Sequence, residues 1–214
     1  MVYWSADNRF QLNIDKCKEI RISFSKNNAD LPPLSINGQE LEVVQNAKLL
    51  GVTITNNLSW NLHINETIKK ASKRLYLLRP LKRNGVSTSD LVRFYTCCIR
   101  SVCDYAVPVF HSSLPNYLIN DLEGVQKRAL SIIFPHLSYN ESLAFLDMDS
   151  LFDHHSFLWS SLFSKILDDE EHKLHHLLSP RHTPKYNFRK KVDCLILVMK
   201  LMGQRIVLLT FSVI

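Results

Sequence analysis

Lys69, Lys70, Lys73, Arg74, Arg79, Lys82 and Arg83 crowd into the stretch 61–83, where Glu66 is the only acid. The net charge of that stretch, +6, equals that of the whole chain. Cations at this density suit a polyanion: they meet phosphate oxygens through charge-assisted hydrogen bonds and fix position without reading bases. The competing readings are a solvated helix face and a docking face for an acidic protein surface. Other residues of chemical type carry less. His154, His155, His172, His175, His176 and His182 are metal ligands by type, but neighbours on a helix diverge and no cysteine pair with ligand spacing stands near. Asp168-Asp169, the only Asp-Asp pair, lies between Leu167 and Glu170-Glu171 and reads as a solvated helix end. Cys17, Cys97, Cys98, Cys103 and Cys194 are odd in number, lack a C-x-x-C spacing and read as reduced, mostly buried thiols. No Gly-rich phosphate loop and no Ser/His/Asp constellation is present.

The element that must carry the cations is a helix. Ile64, Ile68, Ala71, Leu75 and Leu78 recur at four- and three-residue steps, the period of one buried stripe, and Ser59 is placed to cap its start. Tyr76 reads as a core or rim residue of that helix, with stacking on a sugar or base as the alternative. Before it, Lys48–Thr55 reads as a strand, followed by a turn at Asn56-Asn57. Further upstream the stretch 4–12 resembles a helix end anchored by Trp4 and Phe10. Lys18–Ser25 alternates with Ile20, Ile22 and Phe24 on one side, as a half-buried strand does. A Pro32-Pro33 turn, a strand at Leu34–Ile36, an Asn37-Gly38 hairpin turn and a strand over Glu40–Gln45 complete the region.

Downstream the pattern is helical. Ser87 and Asp90 open a helix through Leu91, Phe94, Tyr95, Cys98, Ile99 and Val102, which Pro108 is expected to end. Another runs from Pro115 to before Pro135 on Leu118, Leu122, Val125, Ala129 and Ile132. Ser138 with Glu141 caps a short helix, and Ser150 with Asp153 opens one on Phe157, Leu158, Leu162, Ile166 and Leu167. The fold class that follows is α+β, mostly α: a small antiparallel sheet, then a helical bundle. The expected divisions are 1–57, 58–170 and a linker with an apolar tail over 171–214, the tail read as poorly packed or partly β.

Charge is uneven. Residues 1–60 are neutral, 84–179 carry net −6 and 180–191 add +5, so a polyanion-facing surface is confined to the cationic helix and the late basic run. The polar start MVYWSADNRFQLN lacks a secretory leader, so an intracellular, cytoplasmic or nuclear location is expected. The glycosylation-type triplets at Asn57, Asn65 and Asn140 are then chance matches. No apolar run approaches the ~20 residues of a membrane span.

Four stretches, in combination, resemble the end of a reverse transcriptase from a jockey-type non-LTR retrotransposon. WSADNRFQLNIDKCKEIRISF (Trp4–Phe24) resembles the last palm helix and the strand after it, the region called motif D. KLLGVTITNNLSW (Lys48–Trp60) is similar to the primer-grip hairpin, 62–85 to the first thumb helix, and 95–134 to the helical region beyond. The resemblance covers roughly residues 1–190. It implies a palm remnant and a thumb-like bundle whose basic helix tracks a template–primer backbone as weak, non-specific nucleic-acid binding. It also implies a primer-grip role for Leu50 and Gly51, and a vestigial motif D role for Lys16, which would protonate the leaving pyrophosphate. The paired palm aspartates that hold two metal ions in such polymerases have no counterpart here, so Mg²⁺ is expected only for a complete polymerase. Two departures stand out: Asp153, His154 and His155 occupy positions where similar sequences carry paired arginines, and Val192–Ile214 is apolar where a basic tail is usual. A truncated, inactive polymerase fragment is the expectation. A helical protein-interaction module, possibly self-associating, and a decayed reading frame are the alternatives.

Overall fold

The computed structural model describes residues 7–9, 13–22, 32–178 and 205–208, the last four as backbone. It forms two compact units, one comprising the chain up to Trp60 and from Leu177 onward, the other Asn61–His176.

The first unit is built on short strands: β1 (Lys18–Arg21), β2 (Ser35–Ile36), β3 (Gln39–Glu40), β4 (Glu42–Val44), β5 (Asn46–Leu49), β6 (Val52–Thr55) and, last in the chain, β7 (Arg205–Leu208). The α+β, mostly α fold is as expected, and the β2–β3 and β5–β6 pairs are antiparallel, but one pair is parallel. β1 lies between β4, to which it is parallel, and β7, to which it is antiparallel, with Ile20 opposite both Val44 and Ile206. A parallel pair needs a long connection, and residues 22–41 supply it while carrying the β2–β3 hairpin. The expected Asn37-Gly38 turn is present, with φ of 51° and 81°, both positive as a two-residue hairpin turn of this twist requires. Ile20 and Ile22 are buried against Val44, Ala47, Leu49 and Leu58, while Cys17, Ile36 and Leu41 form a second cluster. Buried Glu19 is satisfied by the Leu34 N–H and the Arg21 Nε, each at 2.8 Å. Trp4, Phe10, Phe24 and Cys194 lie outside the described residues, and of the apolar tail only β7 is described.

Lys48–Thr55, expected as one strand, is a hairpin. β5 and β6 pair from Asn46↔Thr55 to Leu49↔Val52, and Leu50-Gly51 make the turn with φ of 47° and 84°. Gly51 takes that conformation without a Cβ penalty, which is what lets an apolar run reverse in two residues.

The second unit is helical: α1 (Asn61–Arg83), α2 (88–104), α3 (Val107–Phe110), α4 (Asn116–Ile133), α5 (Tyr139–Leu146) and α6 (Leu151–Asp168). α1 begins two residues after Ser59. The Ser59 N–H is taken by Asn57 Oδ1 at 3.0 Å, and its carbonyl by the Thr55 hydroxyl at 2.8 Å. α2 starts as expected, with the Ser87 hydroxyl accepting the Asp90 N–H, but its middle, Tyr95–Arg100, widens into a π turn before Ser101–Asp104 closes it. It ends at Asp104 rather than at Pro108, and Ala106, in a left-handed conformation with φ of 58°, turns the chain into α3. Pro108 instead sits in the first turn of α3, where a missing N–H costs nothing. The Ser138–Glu141 and Ser150–Asp153 caps form as expected. α1 and α4 run parallel: the Tyr117 hydroxyl donates to Asn61 Oδ1 near their starts, and Lys82 Nζ donates to the Ile133 carbonyl near their ends. The core between the helices holds Ile64, Leu78, Leu91, Ile99, Phe110 and Leu130. Among the described residues no helix is long and apolar enough to cross a membrane.

Candidate nucleic-acid interface

α1 separates its residues as its pattern demands. Ile64, Ala71, Leu75 and Leu78 are buried and Ile68 is half-buried, while Lys69, Lys70, Lys73, Arg74, Arg79 and Arg83 are exposed. The seven cations are not equivalent, however. Arg74 reaches back 2.5 Å to the Cys98 carbonyl in the π turn of α2, and half-buried Lys82 reaches 2.5 Å to the Ile133 carbonyl that ends α4. Each supplies a donor to a carbonyl in a stretch where the regular helical bonding is interrupted or finished, and Lys82 also complements the negative end of the α4 dipole. Lys82→Met should therefore lower the stability of the chain by about 1 kcal/mol in thermal unfolding, while nucleic-acid binding stays unchanged.

Of the other five, exposed Lys70 lies about 100° round the helix from Lys69, and Lys69, Lys73, Arg79 and Arg83 form an outward row on the side away from the core. Their span is about 21 Å at 1.5 Å per residue, enough to lie along roughly six steps of a duplex strand. Tyr76, 67% exposed, and Leu77, 52% exposed, stand among them. The expectation that Tyr76 belongs to the core or rim is thus corrected: it is a surface aromatic flanked by cations.

The site residues implied by the resemblance, Lys16, Leu50 and Gly51, fall in the first unit. Lys16 is exposed at the end of a 3₁₀ turn, Ile14–Lys16, whose start is capped by Asn13. Leu50 and Gly51 are the tip of the β5–β6 hairpin, and Leu50 is 84% exposed, the most exposed large apolar side chain described. Cys97 is exposed and Cys98 half-exposed, so among the described residues Cys17 and Cys103 are the buried thiols expected; burial pushes the Cys103 thiol up to about 12.

Two polar clusters escaped the sequence reading. In the first, buried Glu123 on α4 accepts the Leu151 and Phe152 N–H groups at the start of α6, at 3.3 and 3.0 Å, and the Tyr139 hydroxyl. Fully buried Gln126 accepts from the Tyr95 hydroxyl at 2.6 Å and donates to Tyr139 and to the Asp149 carbonyl, each at 3.0 Å. The available signal was Glu123 and Gln126 sitting among the buried positions Leu122, Val125, Ala129 and Leu130.

In the second cluster Asp104 gathers His155 at 2.9 Å, His154 at 3.5 Å and Arg100 at 3.7 Å. α6 buries His155 together with Leu151 and the expected Ile166, whereas Phe157, also expected on the buried stripe, is 66% exposed. The neighbouring His111 meets Ser156 at 3.0 Å and is held neutral, its pKa lowered to about 4 by burial and then by His155. Desolvation also lowers His154. A histidine lowered in this way contributes stability that is fully present above its unfolded value near 6.5 and is lost as pH falls from there toward 4. Thermal unfolding should show stability falling between pH 6.5 and 5 by up to about 1.4 kcal/mol per pH unit for each such proton, and His111→Gln should flatten that slope. Among the described residues no group of three His, Cys, Asp or Glu side chains is arranged to hold a metal ion. Asp169 ends α6, with Oδ1 accepting the Glu171 N–H.

Residues 60–101, about a fifth of the chain, match the family described as alkylated DNA repair protein alkB homolog 8, N-terminal. The stretch covers α1 and most of α2. The chain is also similar to the RNA-directed DNA polymerase from mobile element jockey of Drosophila funebris, 26% identical over 129 residues. That alignment takes in 59% of this chain and 14% of the polymerase, so the chain corresponds to a small part of that protein's length. No solved structure matches.

Proposed function

We propose that this chain is a region of an RNA-directed DNA polymerase from a jockey-type non-LTR retrotransposon, comprising the end of the palm, the primer-grip hairpin and a thumb-like helical bundle. Its activity in isolation is weak, non-specific binding of the backbone of an RNA–DNA or DNA duplex. The observation that carries this reading is the outward row Lys69, Lys73, Arg79 and Arg83, on a helix whose opposite face is anchored in the core. The similarity to the jockey polymerase supports it, as does the tight hairpin with an exposed apolar tip at the stretch that resembles a primer grip. The described residues offer no carboxylate set for the two metal ions of a complete polymerase, so phosphoryl transfer is not assigned to them.

The test is fluorescence anisotropy of the full chain on a short labelled RNA–DNA hybrid across a salt series. Binding in the range of about 10⁻⁴ to 10⁻⁶ M, with a log–log salt slope of roughly −3 to −4, is the expected result. A folded chain that ignores the hybrid at low salt, yet self-associates with rising concentration, would overturn this reading and assign the row to an acidic protein surface.

A further inference from the structure

Between α4 and α5 an open cleft of about 290 Å³ is lined by Lys127, Arg128, Ser131, Leu137, Tyr139 and Ser142. Two of the six are cations, three carry a hydroxyl and none is an acid. Lys127 holds its ammonium 5.3 Å from the centroid of the Tyr139 ring, and Arg128 is braced by its Nε on the Gly124 carbonyl at 3.0 Å. The walls are fixed from behind: the Tyr139 hydroxyl is bound to Glu123 and Gln126, and the buried Ser142 hydroxyl donates to the Ser138 carbonyl at 2.8 Å. Tyr139 stays a neutral phenol because burial raises its pKa above the ordinary tyrosine range. The cleft therefore combines fixed positive charge with a flat apolar floor of Leu137 and the Tyr139 ring. Its volume is near the lower end of small-ligand pockets.

We propose that this cleft binds one nucleotide unit of a single-stranded polynucleotide, its phosphate on Lys127 and Arg128 and its sugar or base against Leu137 and Tyr139. The site lies on helices other than α1 and stands independently of the duplex-binding row. A strand fits better than an acidic peptide because the charged rim and the aromatic floor are adjacent. Strand-binding grooves pair a backbone-tracking charge with a π surface in the same way.

The full chain is titrated with a labelled oligothymidylate of eight residues, from about 50 to 200 mM salt. Lys127→Ala with Arg128→Ala removes two phosphate partners. The log–log slope should become shallower by about 1.4, and the wild type should lose about sevenfold more affinity than the variant over that range. Ser131→Trp, on the exposed side of α4, fills the cleft without altering any charge and should weaken binding by a comparable factor. A Lys127→Arg, Arg128→Lys exchange should retain it, and circular dichroism should confirm folding of each. If Ser131→Trp binds as well as the wild type, the contribution of the two cations is diffuse surface charge and the site is overturned. The same holds if polyglutamate of equal length competes as well as the oligonucleotide does. A variant with the α1 row removed, run in parallel, separates this result from the duplex reading: each site is scored by its own substitutions.

Discussion

Alanine at Lys69, Lys73, Arg79 and Arg83 together is expected to abolish most of the salt dependence of duplex binding. Each cation that neutralises a phosphate releases a condensed counterion, so four contacts correspond to a slope of about −3.6 on a duplex. Over a fourfold rise in salt the wild type should then lose roughly two orders of magnitude more affinity than the variant. Lys82, whose type and position would place it in the same set, is left in place because its ammonium belongs to the Ile133 carbonyl. That choice sharpens the test, since the four replaced are exposed and their removal should leave the melting temperature nearly unchanged. Equal salt slopes for variant and wild type would remove α1 from the interface.

The largest expected loss of stability lies elsewhere, at Glu123. Its carboxylate accepts two N–H groups from the first turn of α6 and the Tyr139 hydroxyl. Those N–H groups have no partner within their own helix, and the carboxylate also faces the positive end of the α6 dipole. Glu123→Ala strips three donors of a charged acceptor in a buried place and should cost about 3–4 kcal/mol. Glu123→Gln keeps one carbonyl acceptor and should cost roughly half as much. Denaturant unfolding of the full chain measures both. A loss within 1 kcal/mol for the alanine variant would mean that the start of α6 finds water in place of the carboxylate.

What was legible in the sequence was local. Ser87–Asp90, Ser138–Glu141 and Ser150–Asp153 each bond within one turn, and Asn37-Gly38 carries its own backbone preference, so reading the chain in order finds them. The buried stripe of α1 is equally visible because its period belongs to the helix itself. What was not legible depends on partners far along the chain. The parallel β1–β4 ladder joins residues 24 apart, Glu123 meets α6 28 and 29 residues on, and the Asp104–His155 pair spans 51. The exposure of Phe157 and the burial of His155 follow from that last pairing: on period alone the apolar ring is the better core candidate, but a carboxylate on α2 selects the imidazole. The cationic row shows both cases at once. Its existence is a matter of composition, whereas the diversion of Arg74 and Lys82 to helix carbonyls is a matter of tertiary placement.

The parallel arrangement of α1 and α4 also bears on how the chain reaches this state. Two helices pointing the same way cannot be joined by a short loop; residues 84–115 must carry the chain back to the end where α1 began. The hydrogen bonds that lock the pair, Tyr117 to Asn61 and Lys82 to Ile133, span 56 and 51 residues. Closing a loop of that size costs chain entropy before the shared core rewards it. The helical unit should therefore collapse more slowly than an up-and-down bundle of its length, with α1 waiting for α4.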